Sequence, residues 1–266
     1  GCLYDKDRSK ENMCIELFSL RDKVALVTGA GKGLGKSMAL ALAESGAHVA
    51  VVSRTRSDIE TTAQEIQESG VKSMSIVADV TKQDDVARMV EKVLGELKTI
   101  DILVNNVGTY VFGHCLESSL EDWHKMLEIN LTSTYLCSKA VGKHMAERQR
   151  GKIINVSSAL GVFGAGGSTA YCASKGGVIQ LTRALAIEWA KYNIMVNSIA
   201  PYSMETEMTK TMLEDEKIKK AIISKIPLKR IGKPSDLSGV VVFLASKASD
   251  YITGQVIFVD GGFSVQ

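Results

Sequence analysis

The residues that point most directly to chemistry are Tyr171 and Lys175, four positions apart in the segment Tyr-Cys-Ala-Ser-Lys. On a helix, positions i and i+4 lie on one face, so the phenol and the ammonium can meet. A free tyrosine has a pKa near ~10, and a neighbouring cation lowers it toward the operating pH. The pair therefore predicts a tyrosine that exchanges a proton with an alcohol or carbonyl oxygen.

A serine strengthens this interpretation, because a Tyr-x-x-x-Lys motif alone arises by chance on many helices. Ser158 lies thirteen residues before the tyrosine, just past a strand predicted at 152–156. Its neighbour Ser157 is an alternative for the same role. These residues would form a proton-transfer site only if the fold brings that strand end next to the helix.

A glycine-rich segment follows the first predicted strand and reads Thr-Gly-Ala-Gly-Lys-Gly-Leu-Gly-Lys-Ser over residues 28–37. A tight strand-to-helix turn needs residues without a Cβ atom, and its backbone amides can approach a pyrophosphate at the positive end of the helix. The segment also ends like a P-loop, although Ala30 stands where the strict motif has glycine. A nucleoside triphosphatase is therefore an alternative, with Asp79 as its magnesium ligand.

The end of the second predicted strand bears on which dinucleotide would bind. In such folds an acid there binds the ribose 2′-hydroxyl, whereas an arginine accommodates a 2′-phosphate. This strand ends in Ser53-Arg54, and Lys32 in the glycine turn is a second cation. Because cations attract a phosphate, the sequence predicts a preference for NADP(H), with NAD(H) possible.

Short β-branched segments alternate with helical ones from residue 23 onward. We predict strands at 24–27, 48–52, 73–77, 101–104, 152–156, 195–199 and 256–259. We predict helices at 37–45, 57–69, 84–97, 120–130, 132–148, 170–191 and 235–246, with helical pieces and a loop over 203–230. Continuous apolar strands separated by helices indicate an α/β fold, a single doubly wound domain with about seven parallel strands and helices on both faces. Ligands bind beyond the carboxyl ends of such strands.

Composition excludes several other classes. Lys plus Arg number 32 against 30 Asp plus Glu, which argues against nucleic-acid binding, and no apolar run is long enough to predict a membrane partner. Five scattered cysteines suggest reduced thiols in the cytoplasm, and four dispersed histidines predict no metal site. Residues 1–20 are predicted to be a partly disordered N-terminal appendage, within which Met13 is a possible natural start.

Taken together, these motifs resemble the short-chain dehydrogenase/reductase family, in its branch of about 250 residues. The resemblance covers residues 22–263. The family's TGxxxGxG appears at 28–35 and its NNAG at 105–108, with Val107 replacing alanine. Its helix asparagine matches Asn130, its serine matches Ser158 rather than Ser157, and its YxxxK matches Tyr171 and Lys175. The agreement in order and spacing disfavours the P-loop interpretation.

The resemblance implies a Rossmann-type NAD(P)-binding catalytic domain over residues 21–266 and assigns roles to its residues. Tyr171 would be the general acid or base, Lys175 would lower its pKa and hold the nicotinamide ribose, and Ser158 would bind the substrate oxygen. Asn130 would hold a water of a proton relay. The implied cofactor contacts are Gly29, Lys32, Gly33, Leu34, Gly35, Ser53, Arg54, Asp79, Val80, Asn106, Gly108, Tyr171, Lys175, Pro201, Met204 and Thr206.

The substrate side shows one departure from the family, because Tyr202 follows Pro201 where glycine is usual. We expect it to narrow the site or distort the cofactor contact. The predicted substrate loop spans 203–227, and the candidate pocket walls are Tyr110, Phe112, Leu160, Phe163, Tyr202, Met204, Met208 and Met212.

The chain looks similar to gluconate 5-dehydrogenase-like and 3-oxoacyl-carrier-protein reductase-like members. The expected substrate is therefore a ketone or secondary alcohol, with an NAD-linked sugar acid or an oxoacyl thioester as alternatives, and family members are commonly homotetramers. A non-catalytic dinucleotide-binding regulator is the alternative of another class.

Overall fold

A computed structural model of the chain describes residues 16–266. In this part of the chain, seven strands form one parallel sheet in the order β3-β2-β1-β4-β5-β6-β7. The predicted doubly wound α/β fold is confirmed. The strands are β1 Val24–Thr28, β2 His48–Ser53, β3 Ser73–Val77, β4 Ile102–Asn105, β5 Gly151–Val156, β6 Ile194–Pro201 and β7 Val256–Val259.

Helices cover both faces of the sheet. They are α1 Gly33–Glu44, α2 Arg56–Glu68, α3 Gln83–Leu97, α4 Leu120–Leu127, α5 Ser133–Glu147, α6 Thr169–Trp189, α7 Glu207–Glu214, α8 Glu216–Ser224 and α9 Ser238–Ala245. Successive residues of a strand point to opposite faces, so Ala25 and Val27 pack with α1, α2 and α9, whereas Val24 and Leu26 pack with α3, α5 and α6. This double burial explains why the strands read as uninterrupted apolar runs.

The sheet order places a switch of direction between β1 and β4. The chain runs outward from β1 to β3 and then returns to continue from β4 to β7. The loops that follow β1 and β4 therefore leave on opposite sides and open a crevice at the carboxyl edge of the sheet. The glycine turn follows β1 and the predicted serine follows β5, so both motifs lie at this edge.

The N-terminal appendage predicted over residues 1–20 is wrong at its last residue, because Leu20 belongs to the folded domain. Residues 1–15 lie outside the described residues. Leu20 is 1% exposed and its amide donates to the Ser45 carbonyl at 2.8 Å, so it belongs to the core of the domain. Within residues 16–266, no helix combines the length and the apolar character needed to cross a bilayer.

One helix also departs from its predicted form. The helix expected at 120–130 ends at Leu127 and continues as a π-helical turn over Glu128–Thr132, which leads directly into α5. A π-turn inserts one extra residue into a helix and is frequent at functional sites. Asn130 lies in the middle of this turn and is fully buried.

Candidate active site

Helix α6 carries Tyr171 and Lys175 on one face, as the spacing predicts. The Lys175 ammonium lies 6.0 Å from the centre of the Tyr171 ring and donates a hydrogen bond of 2.9 Å to the Val156 carbonyl. Lys175 is only 4% exposed. Because Val156 is the last residue of β5, this bond fixes the end of that strand to the face of α6 that carries the tyrosine.

Burial dominates the protonation of this pair. It lowers the pKa of Lys175 from its ordinary 10.5 to about 8. Burial also raises the pKa of Tyr171, and a hydrogen bond with the Ser158 side chain opposes that shift without cancelling it. The pKa of Tyr171 is therefore raised, which differs from the lowering that the sequence predicted from the neighbouring Lys175. At neutral pH the phenol is protonated, which suits an acid that protonates a carbonyl oxygen.

The two neighbouring serines have different surroundings. The Ser157 hydroxyl lies between β5 and β6, where it donates to the Ile199 carbonyl at 3.2 Å and accepts from Ser198 at 2.6 Å. The Ser158 hydroxyl accepts from the Leu160 amide at 3.2 Å and is the one that interacts with Tyr171. Strand alternation sends adjacent side chains to opposite sides, so only Ser158 joins the candidate site.

Asn130 is held by three hydrogen bonds. Its Oδ1 accepts from the Thr109 amide at 2.7 Å, and its Nδ2 donates to the Thr109 carbonyl and to the Ser174 hydroxyl at 3.0 and 2.9 Å. A Cβ atom on Gly108 would lie 3.2 Å from the Lys175 ammonium and 3.4 Å from Asn130 Oδ1. Asn130, Gly108 and Lys175 therefore lie next to one another in the fold.

The sequence analysis did not single out Ser174 or Ser168, and it gave Tyr110 a different role from the one that the structure shows. Ser174 links Asn130 to Tyr171, because its hydroxyl accepts from Asn130 Nδ2 and donates to the Tyr171 carbonyl at 2.8 Å. Tyr110, predicted as a pocket wall, meets the Tyr171 ring edge-on with centres 5.1 Å apart, and its hydroxyl lies 3.0 Å from that of Ser168. The position of Ser174 directly before Lys175 was the only signal for it in the sequence.

The glycine turn has the shape that the sequence requires. Gly29 has φ +65°, and a Cβ atom on Gly35 would lie 2.2 Å from the Gly29 carbonyl oxygen. Asn106 Nδ2 donates to the carbonyls of Thr28 and Gly29 at 3.2 and 3.1 Å, so its amide braces the turn from the end of β4. Gly33 has φ +57° and begins α1, whose free amides can receive a phosphate. The turn therefore fits a dinucleotide pyrophosphate.

The predicted adenosine end is open and cationic. Arg54 and Lys32 are exposed, and neither forms an ion pair within residues 16–266, while Ser53, the last residue of β2, is half-buried. Burial raises the pKa of Asp79, but hydrogen bonds from Thr81 and the charges of Arg54 and Lys82 outweigh it and hold that pKa below its ordinary value. Val80 is 4% exposed, so its side chain packs in the core.

The P-loop alternative fails on one contact. In a P-loop the lysine before the serine reaches the triphosphate. Here the Lys36 ammonium instead forms an ion pair of 2.7 Å with the Glu65 carboxylate of α2. The candidate magnesium ligand Asp79 accepts from the Thr81 amide and hydroxyl at 3.0 and 2.8 Å.

Comparisons with known proteins identify the family of this chain. The family model described as Enoyl-(Acyl carrier protein) reductase matches residues 29–264. A 2-dehydro-3-deoxy-D-gluconate 5-dehydrogenase from Escherichia coli is 42% identical over 94% of this chain and 99% of its own. A 3-oxoacyl-[acyl-carrier-protein] reductase from Thermotoga maritima is 39% identical over 92% and 99%. The chain belongs to the short-chain dehydrogenase/reductase family.

A solved structure of the same family shows the fold with ligands. A gluconate 5-dehydrogenase from Burkholderia cenocepacia, in complex with NADP and tartrate, is 33% identical and superposes with a TM-score of 0.92 over 95% of this chain and 99% of its own. Members of the family named above are dehydrogenases and reductases. This chain is accordingly an oxidoreductase that acts on a secondary alcohol or a ketone.

The loop after β6 closes over the glycine turn in this family member. The side chain of Thr206 lies 3.7 Å from where a Cβ atom on Gly33 would be, so Thr206, a predicted cofactor contact, is a neighbour of the glycine turn. Met204 is 4% exposed, its side chain packs against Gly232, and its carbonyl accepts from the Thr209 hydroxyl at 2.5 Å. Pro201 ends β6, and its carbonyl lies 3.5 Å from the Ser158 hydroxyl.

The predicted pocket walls divide into three groups by their exposure to solvent. Phe112 and Met208 are 63% and 52% exposed, and Met204 lies in the core. The half-buried members are Tyr110, Leu160, Phe163, Tyr202 and Met212. Tyr202, which departs from the family's glycine, stacks on Phe263 near the end of the chain with ring centres 3.7 Å apart. The departure is thus accommodated by a partner that the sequence analysis did not single out.

Proposed function

We propose that this chain is an NADP(H)-dependent oxidoreductase that interconverts a ketone and a secondary alcohol, with Tyr171 as the general acid and base. The single observation that carries the proposal is the convergence of Ser158, Tyr171 and Lys175 at the carboxyl edge of the sheet. A dinucleotide-binding regulator has no need of all three groups, so their presence disfavours that alternative.

NADP(H) is favoured over NAD(H) by charge. Lys32 and Arg54 offer two unpaired cations within residues 16–266, and no carboxylate ends β2. A 2′-phosphate forms charge-assisted hydrogen bonds with such groups. The Burkholderia cenocepacia relative, which was crystallised with NADP, supports the same choice.

Each residue of the candidate site would have its own role in reducing a carbonyl group. When bound, the dinucleotide supplies the hydride to the substrate carbon. The Ser158 hydroxyl holds the substrate oxygen and Tyr171 donates its proton to that oxygen. Lys175 stabilises the phenolate that remains, and Asn130, fixed by Thr109 and Ser174, positions the water that returns a proton. Alcohol oxidation would use the same groups in reverse.

A titration followed by a substrate screen tests the proposal. The protein is titrated with NADPH, NADH and ATP·Mg while nicotinamide fluorescence is followed, and then ketones and sugar acids are screened for NADPH oxidation. We expect NADPH to bind more tightly than NADH and at least one ketone to be reduced. Binding of ATP·Mg without binding of NADPH would refute the proposal.

Relatives support a second candidate substrate. The Escherichia coli relative is named for a dehydro-deoxy-gluconate and the Thermotoga maritima relative for an oxoacyl thioester. An open-chain sugar acid or a 3-oxoacyl thioester is therefore included in the screen, and NADH is tested with each.

We also propose that the protein is a cytoplasmic homotetramer. Two large apolar side chains, Tyr135 on α5 and Ile187 on α6, are 43% and 81% exposed, and they supply apolar surface for packing against another subunit. Sedimentation should give about four times the 28.7 kDa of one chain, and a monomer of that mass would contradict the assembly. Cell fractionation tests the location.

A further inference from the structure

Four aromatic rings form a connected group beside Ser158, and we call Phe163, Tyr202, Phe258 and Phe263 the aromatic cluster. Tyr202 and Phe263 stack with their planes 7° apart. Phe163 meets Phe263 edge-on at 5.8 Å and approaches Phe258 of β7 at 5.9 Å. All four rings are only half-buried. Aromatic groups in a core are normally covered, so a half-open cluster indicates a surface that meets another group.

The cluster is fixed to the catalytic end of the sheet from two directions. Phe163 donates its amide to the Ala159 carbonyl at 2.9 Å, in the short turn that begins after Ser158. That turn packs closely on α6, because a Cβ atom on Gly161 would lie 2.7 Å from the carbonyl carbon of Lys175. From the other side, Tyr202 follows directly after Pro201, whose carbonyl lies 3.5 Å from the Ser158 hydroxyl.

The last turn of the chain presents Phe263 rigidly. The Asp260 carboxylate accepts from the amides of Gly262 and Ser264 at 3.0 and 2.8 Å. The Leu228 amide donates to the Gly261 carbonyl at 3.1 Å, which fastens this turn to the end of the substrate loop. Phe263 therefore covers one face of Tyr202, and part of that half-buried residue remains accessible to solvent.

Resting on the proposed function, we infer that the aromatic cluster determines substrate specificity by favouring a ketone with a flat aromatic or cyclic group over an open-chain polyhydroxylated acid. A flat apolar group can pack on the open part of Tyr202 and on Phe163 while its carbonyl reaches Ser158. The hydroxyls of a sugar acid would lose water against these rings without gaining hydrogen bonds. The glycine usual in the family at position 202 offers no such ring.

The test compares two ketones with NADPH as the reductant. Steady-state kinetics are measured for acetophenone, a flat aryl ketone, and for 5-keto-D-gluconate, an open-chain acid. We expect the wild-type enzyme to have the higher kcat/KM for acetophenone. Tyr202→Gly should lower that value roughly tenfold, mainly through KM, and leave the keto acid unchanged or improved. Tyr202→Phe, which keeps the stack, should keep the selectivity.

Two further variants separate specificity from structure. Phe263→Ala should weaken acetophenone reduction in the same way as Tyr202→Gly, whereas Val265→Ala, in the same turn but 84% exposed, should change neither substrate. An equal loss for both ketones, or dissociation of the assembly in sedimentation, would overturn the inference and make the cluster a structural or subunit contact. A wild-type preference for the keto acid would overturn it while leaving the proposed function intact. Failure to reduce any ketone would refute both.

Discussion

The Lys175 ammonium donates a hydrogen bond of 2.9 Å to the Val156 carbonyl, and this bond joins α6 to the end of β5, two residues before Ser158. Burial lowers the pKa of Lys175 to about 8. A charge held in a desolvated position opposes folding, so burial of the protonated Lys175 lowers the free energy of unfolding.

Lys175→Met should abolish turnover and stabilise the protein at pH 7. At that pH the folded and unfolded states are both protonated, so the full cost of burying the charge applies. The variant removes this cost but loses one hydrogen bond, and the free energy of unfolding should rise by about 2 kcal/mol. Urea unfolding measures it, with Lys92→Met on the exposed face of α3 as the control.

The pH dependence of that difference has a defined sign. Between pH about 8 and 10.5, the unfolded wild-type chain binds more protons than the folded one, so wild-type stability rises with pH. The advantage of Lys175→Met should therefore shrink across this window. An advantage that stays constant from pH 7 to pH 10 would contradict the lowered pKa of Lys175.

Tyr171→Phe should reduce kcat by roughly 10²–10⁴ while NADPH affinity stays within about threefold, because only the proton donor is removed. Fluorescence titration and steady-state kinetics measure the two quantities. Tyr192→Phe, near the end of the helical segment, is the matched control and should behave as wild type. Unchanged turnover in Tyr171→Phe would exclude it as the acid.

Arg54→Asp should reverse the cofactor preference. The carboxylate repels a 2′-phosphate and can accept from a ribose hydroxyl, so kcat/KM with NADPH should fall roughly 10- to 100-fold and the value with NADH should hold or rise. Arg56→Asp, two residues on and paired with Glu60, should have little effect. An unchanged ratio of the two cofactors in Arg54→Asp would refute the 2′-phosphate argument.

Gly35→Ala should prevent NADPH binding and destabilise the fold, since its Cβ atom would lie 2.2 Å from the Gly29 carbonyl oxygen and 2.5 Å from Asn106 Nδ2. Gly95→Ala in α3 meets nothing within 4 Å and should raise the free energy of unfolding by about 0.5–1 kcal/mol. Calorimetry and cofactor titration compare them. Equal behaviour of the two variants would show that the turn tolerates a side chain.

The sequence predicted the sheet well because local pattern determines a doubly buried strand. The strand expected at 195–199 extends from Ile194 to Pro201, and the choice of Ser158 over Ser157 agrees with strand alternation. The bond between Ser174 and Asn130 could not be foreseen, since it joins residues 44 positions apart across a π-turn. The same holds for the stack of Tyr202 on Phe263, which depends on how β6 and β7 align.

The order of the sheet separates two kinds of selectivity in space. Lys32 and Arg54, which would bind the 2′-phosphate of the cofactor, follow β1 and β2. The aromatic cluster extends from the end of β5 to the last turn, so the two groups belong to opposite halves of the sheet. Residues far apart with no common partner contribute additively. Evolution can therefore alter the electron donor and the molecule reduced as independent traits, one half at a time.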